Sequence, residues 1–224
     1  MTYSTLASIV KYPFSSRLAG KKSKFGFFLS EEADFQKIDY RRWKSPGSSQ
    51  EGEPLRYARH PLVYLVEAAD DICYQMMDIE DAHKLKLLTH AETKELYSLF
   101  FDDKRKQRIE EICRIVTDVN EQIAYLRSSV IGALIKECTR VFVEHEEEIL
   151  SGEFEGSLIT HIGSPLKEAY QHCSEIAFHK IYRSSDVLDI ELAGFRVIST
   201  LIDLMINAVR TPEKAYSQLL INRM

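Results

Sequence analysis

Residues 65–78 read LVEAADDICYQMMD, and the side chains there that could do chemistry are carboxylates. Asp70, Tyr74 and Asp78 recur every four residues, the spacing that sets side chains in a row along one side of a helix. Between Pro61 and His83 the acids are Glu67, Asp70, Asp71, Asp78, Glu80 and Asp81, with no lysine or arginine among them. Acids on a solvated helix face are ordinarily interleaved with bases, each i,i+4 pair stabilising by a few tenths of a kcal/mol. Crowded carboxylates in a partly buried setting repel one another and take up protons unless a cation sits among them. A divalent metal, Mg²⁺ or Mn²⁺, meets that need, because hard cations prefer carboxylate oxygen and share their shell with water and phosphate. Asp70 is then a candidate metal ligand, Tyr74 a ring that could stack on a flat or sugar-like group, and Asp78 an acceptor for a hydroxyl. The competing reading is a solvated helix face.

A basic segment precedes the acidic one. KYPFSSRLAGKKSKFGFF carries lysines and aromatics that suit either a solvated loop or the cradle of a polyphosphate, with lysines as mobile point charges. From Met1 to Lys44 there are nine bases against four acids, which leaves 20 bases and 30 acids in the remainder. A positive first fifth thus precedes an acidic body, and the net charge is −5. Such a body makes nucleic acid at most a secondary partner for the basic arm. The seven histidines form no H-E-x-x-H pattern and no His-Asp dipeptide. The run His145-Glu146-Glu147-Glu148 is expected near a helix C-terminus, where it opposes the helix dipole.

The elements that must position these groups are helical. TLASIVKY has apolar residues at helical spacing and is stopped by Pro13; KFGFF reads as loop or a short extended piece. KSPGSSQEGEP, at 44–54, is a Ser, Gly and Pro loop. Pro61 suits the first position of a long helix with Leu65, Ala69, Ile72, Met76 and Ile79 as its core stripe. The flanks LVEAA and ICYQMM predict that this helix is largely buried. Asp102 is placed to cap a long helical run that Gly152 ends and that Asn120 or Gly132 divides. Ser164-Pro165 and Thr211-Pro212 mark further starts around a helix spanning VLDIELAGFRVISTLIDLMINAVR. No alternating strand pattern and no internal repeat is present, so an all-α, irregular bundle is expected.

A 45% apolar composition fits a globular core. Cys73, Cys113, Cys138 and Cys173 form no C-x-x-C pair and read as reduced, mostly buried thiols of a cytoplasmic protein. The N-terminus lacks a signal-peptide pattern, and no stretch is expected to reach the roughly 18 apolar residues of a membrane span.

The segment RHPLVYLVEAADDICYQMMDIEDA, at 59–82, resembles the signature of bacterial deoxyguanosine triphosphate triphosphohydrolases, members of the HD-domain phosphohydrolase superfamily. TYSTLASIVKYP and KFGFF resemble the same family, in the same order. The resemblance covers the first two-fifths of the chain. It implies an HD-type core portion at residues 1–100 followed by a helical associated region at 101–224. It also implies an all-α enzyme that cleaves a deoxynucleoside triphosphate into deoxynucleoside and inorganic triphosphate, with a metal held by two histidines and two aspartates. Position by position, Asp70 matches the last metal ligand, Tyr74 the residue packed on the deoxyribose and Asp78 the acceptor for the sugar 3′-hydroxyl. Lys11 and Tyr12, in KYP, match residues on the triphosphate, and Lys24, in KFGFF, matches another phosphate contact.

This chain departs from the family pattern in what it lacks. The other three ligands, an early histidine and a His-Asp pair, lie upstream of TYSTLASIVKYP in the family and are absent here, as is a Gly-Met-Thr-Asp stretch near the C-terminus. The expectation is a piece of a longer enzyme, inactive alone. The rival from another class is a non-catalytic helical module for homo-oligomerisation or regulation, using the long helices after Asp102.

Overall fold

The computed structural model describes residues 2–20, 23–39 and 57–223. Lys21, Lys22 and the loop at 44–54 lie outside the described residues. The described chain is all-α: no strand forms among these residues, and one isolated bridge joins Ser15 to Phe27. It divides into two compact units, Met1–Ser174 and Glu175–Met224.

In the first unit, α1 (Tyr3–Ser8) is capped by the Thr2 hydroxyl and is followed by an irregular arm and by α2 (Glu32–Asp39). The long helix α3 (Pro61–Lys84) starts with proline in its first turn, as the sequence predicts, and His60 is its cap. α4 (His90–Ser98) opens on a reciprocal cap between Thr89 and Glu92. Asp102 caps α5 (Asp103–Ile115), its carboxylate accepting from the Arg105 N–H at 2.7 Å. The expected division of the long run falls just before Asn120. Asp118 accepts from the N–H groups of Asn120 and Glu121 and so starts α6 (Val119–Glu144), while Gly132 lies within that helix.

α3 packs on α6, and α4 on α6. The buried side chains of α6 are Ile123, Leu126, Val130, Leu134, Cys138 and Val141, spaced three and four apart. They form a core with Ile72, Met76 and Ile79 of α3, all essentially sealed from solvent. Burial of each such side chain stabilises by about 1.5–3 kcal/mol. Two buried tyrosines fix the register: Tyr97 Oη donates to the Met76 carbonyl at 2.7 Å, and Tyr64 Oη to the Phe154 carbonyl at 2.9 Å.

Three expectations are corrected here. Leu65 and Ala69 do not belong to the core stripe; they are exposed, and Tyr64 and Ala68 are buried in their place. The core line is rotated by one residue at the start of α3, because it is set by α6 and the Phe154 segment. α3 is also less buried than its flanks suggested, since Leu62, Val66 and Met77 are exposed along one side. Finally, Glu146, Glu147 and Glu148 form the first turn of α7 (Glu146–Ser151), because α6 ends at Glu144. Negative charge there suits the helix dipole. Gly152 ends α7 at φ +82°, a conformation open to glycine.

α8 (Leu166–Ile176) sets Tyr170 and Ser174 against α3, where Tyr170 Oη donates to the Asp71 carbonyl and Ser174 Oγ to Gln75 Oε1. Ser164 does not act as the expected cap; its hydroxyl donates to Glu168 at 2.9 Å.

The second unit contains a π-helical turn (Ala177–Ile181), α9 (Ser185–Arg210) and α10 (Ala215–Ile221), with α10 packed on α9. α9 corrects another expectation: over 18 residues its mean hydropathy is 1.6, long and apolar enough to cross a membrane by length and composition alone. Almost none of it is buried. The four cysteines are free, with Cys138 and Cys173 buried, Cys113 half-buried and Cys73 exposed. Burial pushes the thiols of Cys138 and Cys173 up to about 11 and about 12, so neither is a thiolate at neutral pH.

Candidate functional site

The basic arm reaches α3 through local geometry that begins at Gly26. A Cβ there would stand 2.1 Å from the Tyr12 carbonyl oxygen and 2.6 Å from the Val10 side chain, so only glycine allows the two strips of chain to lie together. Their backbones are joined by Gly26 N–H to the Phe14 carbonyl and Ser16 N–H to the Phe27 carbonyl. Buried Phe27 stacks on Phe35 of α2 at 4.2 Å, which anchors the KFGFF strip. As a result the Lys24 ammonium lies 5.5 Å from the Tyr12 ring centre, next to Lys11 in sequence. Three residues picked out from sequence, Lys11, Tyr12 and Lys24, are therefore together.

Lys11 ties this cluster to α3. Its Nζ lies 3.3 Å from Glu67, whose carboxylate is only 12% exposed. Burial opposes the Lys11 charge, but Glu67 more than offsets it and holds the ammonium above its ordinary value. Glu67 has a second cation, Arg59, which also donates to the Gly156 carbonyl and lies 4.4 Å from the Tyr64 ring centre. Arg59 had no assigned role in the sequence reading. Its position just ahead of the helix, two turns before Glu67, was the available signal.

Glu67 is thus answered by bases of the protein itself, and so are Glu80 and Asp81. Glu80, nearly buried, takes Arg127 from α6 and Lys84, and Lys84 also reaches Asp81 at 3.4 Å. For these three acids the charge imbalance is met by bases that lie outside the segment in sequence and against it in space. Asp71 is half-buried. Burial raises its pKa above the ordinary carboxylate value, Lys11 and Arg59 draw it back, and Glu67 and Asp70 push it up again.

Asp70, Tyr74 and Asp78 follow along the next turns of α3. Asp70 is exposed, one turn from Glu67, and no ion pair reaches it among the described residues. Tyr74 is 68% exposed and Asp78 is half-buried. At about 1.5 Å of rise per residue, Asp70 and Asp78 stand about 12 Å apart along the helix. Lys11, Tyr12 and Lys24 gather at the Glu67 end of this row. Among the described residues no three His, Cys, Asp or Glu side chains are grouped to hold a metal. Asp70 offers a single carboxylate, and a divalent ion needs more than these residues supply. They do not form a metal centre by themselves.

Comparison with known proteins gives the chain relatives by sequence. The chain is 32% identical over 207 residues to a deoxyguanosinetriphosphate triphosphohydrolase-like protein of Pseudomonas aeruginosa, covering 91% of this chain and 45% of that one. A protein of the same name from Synechocystis sp. is 31% identical over 90% of this chain and 45% of its own length. The deoxyguanosinetriphosphate triphosphohydrolase of Yersinia enterocolitica is 27% identical over 98% and 45%. No protein-family model matches the chain. By sequence the chain is similar to proteins named deoxyguanosinetriphosphate triphosphohydrolase or deoxyguanosinetriphosphate triphosphohydrolase-like, and it spans about half the length of those it matches.

Proposed function

We propose that the chain supplies the phosphate-facing and sugar-facing part of a deoxynucleoside triphosphate triphosphohydrolase, converting dGTP or another such nucleotide to deoxynucleoside and inorganic triphosphate. The observation that carries this reading is the gathering of Lys11, Tyr12 and Lys24 at one end of the Asp70, Tyr74 and Asp78 row. Two ammonium groups beside an aromatic ring suit a triphosphate, which lysine recognises as a point charge. Lys11 meets a phosphate only by sharing or leaving Glu67, and Arg59 keeps Glu67 compensated when it does. The exposed Tyr74 ring offers a flat surface for a sugar, and Asp78, one further turn on, an acceptor for its hydroxyl. Asp70 is one ligand of a divalent metal, Mg²⁺ or Mn²⁺, whose remaining ligands come from outside the described residues. The chain alone is therefore inactive. It works in the cytoplasm, consistent with four unpaired thiols.

A second reading is a non-catalytic helical module derived from the same family, serving oligomerisation or regulation through the long helices after Asp102. Mn²⁺ titration separates the two. The first reading expects saturable binding once the part of the relatives that this chain does not span is supplied. The second expects only weak, nonspecific binding with that part present.

A further inference from the structure

α9 carries its charges in a pattern that its own unit does not use. Asp189, Arg196, Asp203 and Arg210 recur every seven residues, so they form one row, and all four are exposed. Neighbours in that row are about 10 Å apart along the axis, too far to pair with each other. No ion pair reaches any of them among the described residues.

Beside the row runs an apolar seam. Leu188, Leu192, Phe195, Ile202, Ile206 and Val209 follow one another at steps of three and four, with Ser199 between Phe195 and Ile202. This is the spacing of a helix that packs against another helix by knobs into holes. α10 takes a different side of α9, where Ala208 is buried. The seam itself is open: Phe195 is 74% exposed, and Ile202, Met205, Ile206, Val209 and Arg210 line an apolar cleft of about 400 Å³.

We infer that this seam is the contact between two copies of the chain, with α9 packed antiparallel against α9 of the partner about a two-fold axis near Thr200. The order acid, base, acid, base reverses sign when it is read backwards. In the antiparallel pair Asp189 therefore faces Arg210 of the partner subunit and Arg196 faces Asp203 of the partner subunit. The two-fold axis repeats each pair. The same register sets Phe195 against Ile206 of the partner subunit and Leu192 against Val209 of the partner subunit. Sliding by one heptad brings Arg196 onto its own symmetry mate and Asp189 onto Asp203, so like charges exclude it. A parallel pair would turn the charged row toward the opposite flank, which carries Glu191, Ile198 and Met205. Lipid is a poorer occupant despite the hydropathy of α9, since Arg196 and Asp203 at mid-helix each cost about 2.5–3.5 kcal/mol there. This surface is independent of the proposed activity.

Sedimentation of the full chain across a concentration series tests the contact, with D203R and the double exchange R196D/D203R as variants. D203R turns two attractive pairs into two repulsive ones and should raise the dimer dissociation constant roughly tenfold or more. The double exchange keeps opposite signs face to face and should restore it, while circular dichroism shows all three forms equally helical. A wild-type chain that stays monomeric, including one that partitions onto neutral lipid vesicles, overturns the contact. So does a dimer that D203R leaves unchanged, or one that the double exchange does not rescue.

Discussion

Glu67→Gln is the perturbation that bears most directly on how the arm is held. It removes one negative charge from between Lys11 and Arg59 while keeping the shape of the side chain. At the 3.3 Å Lys11 separation, two unit charges attract by about 5 kcal/mol at an effective dielectric of about 20. Desolvation and the fixing of a long side chain offset most of this. The Lys11 side chain is 34% exposed, so its share falls to about 0.5–1 kcal/mol. Arg59 is more enclosed, and its charge-assisted hydrogen bond contributes about 1.5–3 kcal/mol. The sum predicts a loss of about 2–4 kcal/mol, or a urea midpoint lower by roughly 1–2 M. Lys11→Met should cost only about 0.5–1 kcal/mol, and the two changes together less than their sum, because they share one contact. Trypsin should also cut after Lys11 faster in Glu67→Gln, since the arm opens more readily. A Glu67→Gln protein within about 0.5 kcal/mol of wild type, with an unchanged cleavage rate, refutes the assignment of the arm's tether.

Two further changes test the surrounding structure. Tyr97→Phe leaves the buried Met76 carbonyl without its 2.7 Å donor and should destabilise by about 1–3 kcal/mol in thermal unfolding; an unchanged midpoint would show that the contact carries no stability. Asp71 has a folded pKa above its ordinary 3.8, so the folded chain binds that proton more tightly and stability falls as pH rises through the window above 3.8. Asp71→Asn should flatten that part of the pH profile and unfold at a higher temperature than wild type at pH 7. A variant that is less stable at pH 7 with the wild-type slope would reverse the sign of this account.

Much of the fold is legible because it is written locally. Pro61, Asp102 and Gly152 mark helix ends through single backbone groups, and Ile72, Met76 and Ile79 of the α3 core line follow from spacing alone. The grouping of Lys11, Tyr12 and Lys24 was also within reach, through the short KYP and KFGFF segments. What sequence spacing missed depends on partners far along the chain. Glu80 is answered by Arg127, 47 residues away, and Arg59 reaches Gly156, 97 residues away. The same distance effect rotates the α3 core line away from Leu65 and Ala69, since the buried face is chosen by α6 and by the Phe154 carbonyl that receives Tyr64. The glutamate run after His145 opens a helix where spacing predicts a closing one, because a single residue, His145, separates the end of α6 from the start of α7. The open side of α3 has no local signature, and the heptad spacing of α9 marks an apolar seam without saying whether the chain covers it. An apolar residue has the same letter whether its cover lies within the chain or beyond it.

The proposed function is tested most directly by release of inorganic triphosphate from dGTP and other deoxynucleoside triphosphates with Mn²⁺ or Mg²⁺. The chain would be joined in frame to the part of its relatives that it does not span, and assayed with and without Asp70→Ala. The account predicts no release from the chain alone, release from the joined protein, and none once Asp70 is replaced. A joined, folded protein that releases no triphosphate, or one whose release survives Asp70→Ala, contradicts it.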